Sequence, residues 1–101
     1  MHLIQILLPL RDNAGKSFER RQFETVAAAL SKRFGGVTAY NRVPAEGRWE
    51  EGGTTQHDEM LVMEVMAKDL DRAWWATFRR ELEQTFRQQQ VVVRAQPLEM
   101  L

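Results

Sequence analysis

Gly15-Lys16-Ser17 lies between an apolar run at residues 3–10 and a segment with helical spacing. Strand, loop, Gly-Lys-Ser and helix is the order of a phosphate-binding loop, in which Gly-x-x-x-x-Gly-Lys-Ser/Thr wraps backbone N–H groups around phosphates. The position of the first glycine is held by Leu10, so that wrap cannot form. A loop of this kind also belongs to a parallel sheet with a metal-binding aspartate after a distant strand, for which the chain has neither the length nor the strand order. Nucleotide hydrolysis is excluded, and a polar turn with Ser17 as a helix cap takes its place. Arg11 and Lys16 beside a helix N-terminus could hold an anion, although cations on an exposed turn usually just solvate.

His57 is the second candidate. It neighbours Asp58 and Glu59, and a hairpin that folds back would bring it near Tyr40 and Arg42. Asp58 could orient it as a general base, with Tyr40 as the other possible base. No nucleophile or further ligand stands at motif spacing, so the ordinary reading of a solvated histidine competes with the catalytic one. His2 and His57 alone fall short of a zinc pattern, and the absence of cysteine removes disulfides, thiolate metal sites and thiol catalysis. No cofactor and no metal are expected.

The elements that must position these groups follow from periodicity. Residues 3–10 are too short and too aliphatic for an amphipathic helix, and Pro9 would break one, so they read as a buried strand. Phe23, Val26, Ala27, Leu30 and Phe34 mark one face of a helix ending at Gly35. Residues 37–43 and 60–67 alternate with a period of two around a glycine-rich turn, which predicts a long hairpin. Trp75, Phe78, Leu82 and Phe86 mark a second helix from Asp71, its N-cap, to about Gln88. Trp74 and Trp75 point about 100° apart on it, so only one of them can be core. Residues 91–96 form a last strand, stopped by Pro97. This β-α-β-β-α-β order predicts an α+β, ferredoxin-like sandwich: one domain over residues 1–101, with a four-stranded antiparallel sheet in the order 4-1-3-2 and both helices on one face.

Strand alternation then sorts the side chains. A carboxylate beneath two helices would cost several kcal/mol, roughly, so the sets containing Gln5 and Glu64 belong to the free face. Tyr40 and Arg42 join them from the second strand and Arg94 from the fourth, with Trp49 on the hairpin as a packing anchor or a pocket mouth. Tyr40, Arg42, Trp49, Glu64 and Arg94 are the candidate ligand-binding residues. A homodimer through this face, with Arg42 or Arg94 pairing with Glu64, fits an apolar sheet surface that needs covering. A small-molecule pocket enclosed by two such faces is compatible with it.

Other partners are excluded. Lysine plus arginine equals aspartate plus glutamate at 14 each, which leaves no basic field for nucleic acid, and stacking aromatics are missing where an RNA-recognition sheet needs them. No stretch approaches the roughly 20 apolar residues of a membrane span. A soluble cytoplasmic protein is expected.

The segments RFGGVTAYNR, PAEGRW, EVM, WW and FRQQQVVVRA resemble a small family of uncharacterised bacterial proteins of about this length, with FGG-x-T-A-Y followed by P-A-E-G-x-W as the specific part. The resemblance implies a bacterial, ferredoxin-like protein and brings no reaction with it. In fold the chain is also similar to dimeric α+β barrel proteins, which include cofactor-free oxygenases and isomerases. Two functions follow as expectations: a self-associating binding or scaffold module without catalysis of its own, or a cofactor-independent enzyme acting on a small anionic or aromatic substrate.

Overall fold

The computed structural model describes residues 1–42 and 59–101. Its elements are β1 (His2–Pro9), α1 (Arg20–Phe34), β2 (Thr38–Arg42), β3 (Met60–Ala67), α2 (Arg72–Thr85) and β4 (Val92–Pro97). The strands form one antiparallel sheet in the order β2-β3-β1-β4, which is the expected order counted from the opposite edge. The fold is the ferredoxin-like α+β sandwich.

The core forms where the apolar periods of strand and helix meet. Ile4, Ile6 and Leu8 on β1 and Met63 and Val65 on β3 pack with Val26 and Leu30 of α1 and with Trp75, Phe78 and Leu82 of α2. Among the described residues no polar or charged residue is buried, so the core beneath the helices is apolar, with His2 and Asn41 of the same side at its margins. Trp75 is the core member of the tryptophan pair. Trp74 is half-buried, stacks on Phe78 with ring centres 4.8 Å apart, and carries the Arg33 guanidinium 4.2 Å above its ring. Arg33 also approaches Asp71 at 3.5 Å, which fastens the end of α1 to the start of α2.

Helix ends follow local chemistry, with one correction. Gly35 ends α1 at φ 80, a conformation that side chains with a Cβ resist, and its N–H donates to Ser31 O at 2.8 Å. Asp71 caps α2 by accepting from Trp74 N at 3.1 Å. Ser17, however, does not cap α1. Its backbone bridges Arg11 across the preceding turn, so the helix starts later, at Arg20, with Glu19 as N-cap and the Gln22 side chain accepting from Glu19 N at 3.0 Å. At the other end α2 stops at Thr85, short of Gln88, because Arg87 adopts φ 50 and turns the chain back toward β4. Pro97 closes β4 as its last residue, on an edge strand where its missing N–H is tolerated.

β2 and β3 pair from Thr38 opposite Glu64 to Arg42 opposite Met60, as the two arms of a hairpin would. Trp49, His57 and Asp58 lie outside the described residues.

Candidate functional site on the open sheet face

The turn carrying Gly15-Lys16-Ser17 is folded around its own aspartate. Asp12 Oδ1 accepts from Ala14 N at 2.9 Å and from Lys16 N at 2.8 Å, while Asp12 N donates to Lys16 O at 2.8 Å. Gly15, at φ 84, donates to Asp12 O at 3.0 Å, and Phe18 N donates to Leu10 O at 3.0 Å. A phosphate nest aims several N–H groups at an anion from outside. Here those N–H groups converge on Asp12, and Arg11 stands 3.9 Å from Glu59. The turn therefore forms no nucleotide loop, and its N–H groups at Ala14, Gly15 and Lys16 are already taken, which removes the backbone donors from the anion site that Arg11 and Lys16 suggested.

The predicted polar residues of the sheet come together elsewhere. In the antiparallel register Gln5 is opposite both Glu64 on β3 and Arg94 on β4, and Thr38 on β2 is opposite Glu64. One row thus crosses all four strands on the side away from the helices. Arg94 Nε donates to Gln5 Oε1 at 2.8 Å, and Gln5 Nε2 donates to Glu64 Oε2 at 2.7 Å. A side-chain amide between a guanidinium and a carboxylate has one favourable orientation, oxygen toward the cation and N–H toward the anion. The three groups form a fixed dipole, with its negative end on β3 and its positive end on β4.

The rows on either side are mostly apolar. Tyr40, Val62, Leu7 and Val92 face the same way one step along the strands, and Met66 and Leu3 do so one step the other way, with Gln96 completing that row on β4. Tyr40, Met66 and Val92 are exposed, whereas Leu7 and Val62 are buried. The accessible apolar area is thus at the margins of the face, a narrower patch than the fully open sheet surface the sequence predicts. Tyr40 lies diagonal to Glu64, a spacing that long side chains can bridge. Arg42 lies four residues beyond Thr38, on the order of 13 Å along β2 from the Glu64 row. Trp49 and His57, the remaining candidates, are outside the described residues.

Gln5 is the group whose role the sequence understates, because it reads there as one polar point among several. Its position between two strands that each carry a charge depends on the inter-strand register. Alternation alone does not set that register. Among the described residues no group of three or more histidine, aspartate or glutamate side chains is arranged to hold a metal ion. None of the described helices is long and apolar enough to cross a membrane.

No protein-family model matches the chain, and no curated protein sequence matches it. Among solved structures, a phage SAM lyase in complex with S-methyl-5'-thioadenosine is similar to it, with a TM-score of 0.58 and 18% sequence identity over 94% of this chain and 79% of that one. At that identity the similarity shows the small α+β fold and nothing finer.

Proposed function

We propose that the protein is a self-associating module that docks a second copy of itself through the open sheet face. The observation that carries this reading is the dipole of Glu64, Gln5 and Arg94 set among exposed Tyr40, Met66 and Val92. Glu64 and Arg94 stand one strand to either side of Gln5. A two-fold axis lying in the face along β1 sets each Glu64 against the second copy's Arg94, so one contact is made twice. The same charges oppose rotated packings, which fixes register more than it adds affinity. A cytoplasmic setting is part of this reading and rests on the cysteine-free composition.

Native mass spectrometry at micromolar concentration tests it. The expected result is a dimer that Glu64→Arg weakens by about 100-fold and that the double swap Glu64→Arg with Arg94→Glu restores. A monomer at about 100 μM, a weaker limit than specific dimers usually show, overturns the reading.

A second reading is a cofactor-independent enzyme working from the same face, favoured by the similarity to a lyase. Glu64 and its diagonal neighbour Tyr40 would supply acid–base groups, and Arg94 would hold an anionic part of the substrate. Incubation with SAM, followed by chromatography for S-methyl-5'-thioadenosine, is the direct assay. Turnover that falls by about 100-fold or more in Glu64→Gln would support it, and no product from micromolar protein would remove SAM as the substrate.

A further inference from the structure

A cavity of about 570 Å³ opens at the end of the sheet, where β1 leaves the fold and β3 and β4 begin. That volume is within the usual range for a small-molecule site. Its floor is Leu7 and Pro9 of β1, Met60 of β3 and Val92 of β4. Pro9 pairs with Met60 and Leu7 with Val92, so the four side chains mark the corners of a patch about 7 Å along the strands and 10 Å across them. A patch of that size accommodates one flat bicyclic ring.

The walls are polar. On one side is the turn held by Asp12. On the other is the segment after α2, brought back over the sheet by Arg87 at φ 50. Strain of this kind, about 1–3 kcal/mol for a residue with a Cβ, persists where surrounding contacts hold it. Arg87 Nη2 stands 3.8 Å from Asp12 Oδ2, so the two walls set opposite charges toward each other. The charges on this rim face one another, Arg11 to Glu59 and Asp12 to Arg87. The hydrogen-bonding groups left to a ligand are chiefly the side-chain amides of Asn13, Gln88 and Gln90. Gln88 Nε2 spends one N–H on Phe86 O at 2.9 Å, which fixes that amide and keeps its oxygen available.

We infer that this cavity binds a neutral, planar heterocycle of the nucleobase or nucleoside class, its ring against the four-residue floor and its donor and acceptor edges read by Asn13, Gln88 and Gln90. Amides present a donor and an acceptor side by side, as the edge of such a ring does. Arg11 with Glu59 and Arg87 with Asp12 leave the rim without a net charge to attract an ion, which favours a neutral ligand. The site is built from residues of one copy of the chain and shares Val92 with the face proposed for self-association, so it is open in the monomer.

Titration of the ¹⁵N-labelled protein with adenosine, followed by NMR, tests the inference. The expected result is a saturable shift of the Asn13, Gln88 and Gln90 side-chain amide signals with half-saturation below about 1 mM. Asn13→Leu and Gln90→Leu should each weaken binding about fivefold, and Val92→Glu, on an exposed edge strand, by about 20-fold or more with the backbone spectrum retained. Adenosine 5'-monophosphate should bind no more tightly than adenosine. Lack of saturation at several millimolar, shifts that map elsewhere, or tighter binding of the monophosphate would each overturn it. So would loss of binding in Glu64→Arg, which would mean that a second copy completes the site.

Discussion

Ile6 and Gln5 are neighbours on β1, yet they live under different constraints. Ile6 is fully enclosed between sheet and helices, surrounded by side chains of several elements that must fill the space without a void. Gln5 is half-buried on the opposite face and is held by two hydrogen bonds, one to each flanking strand. The helix-facing side is defined by volume, and many apolar sequences could meet that demand. The polar row of the open side is defined by which donor meets which acceptor, and few exchanges preserve it. The difference teaches where stability and specificity reside: the first face sets whether the chain folds, the second what the folded chain can recognise.

Truncation on the enclosed face gives the largest expected effect. Ile6→Ala removes methyl groups from a site with no solvent access and should lower unfolding stability by about 3 kcal/mol, measured by urea denaturation with an unchanged slope. A loss below about 1 kcal/mol would show that the helices collapse onto the gap, and the contrast between the two faces would narrow.

The same contrast explains what could be read from the chain. Ile4, Ile6 and Leu8 alternate with Leu3, Gln5 and Leu7, and a single carboxylate at Glu64 decides which set faces the helices; the sheet order and both helices follow from such local patterns. Asp71 and Gly35 were legible for a related reason, since a cap is decided by the few residues around it. Ser17 was not, because its backbone is engaged by Arg11 six residues earlier, a pairing that no propensity of serine announces. The polar row was legible in its members and not in its wiring. Glu64 and Arg94 are 30 residues apart, and only the register brings both to Gln5.

A middle-sized effect tests that wiring. Gln5→Met keeps the length of the side chain and removes both hydrogen bonds, leaving Glu64 and Arg94 to water or to each other. Stability should fall by about 1 kcal/mol, far less than for Ile6→Ala. In a double-mutant cycle with Glu64→Leu the two changes should couple by about 0.5–1 kcal/mol. Strictly additive effects would mean that the 2.7 Å contact of Gln5 with Glu64 orients the amide without stabilising the fold.

The smallest effect is the sharpest test of the idea that the open face serves recognition. Val92 is on that face beside Leu7, 44% exposed and on an edge strand. Val92→Thr preserves the β-branched shape and replaces one methyl with a hydroxyl that water can reach, so stability should change by less than about 0.5 kcal/mol. Its effect should appear in binding, since the same side chain forms a corner of the cavity floor. A stability loss of about 1.5 kcal/mol or more, measured at a concentration where the protein is monomeric, would show that Val92 is structurally enclosed. The two faces of the sheet would then differ in polarity alone, and the case for the open face as a recognition surface would rest on the row of Glu64, Gln5 and Arg94.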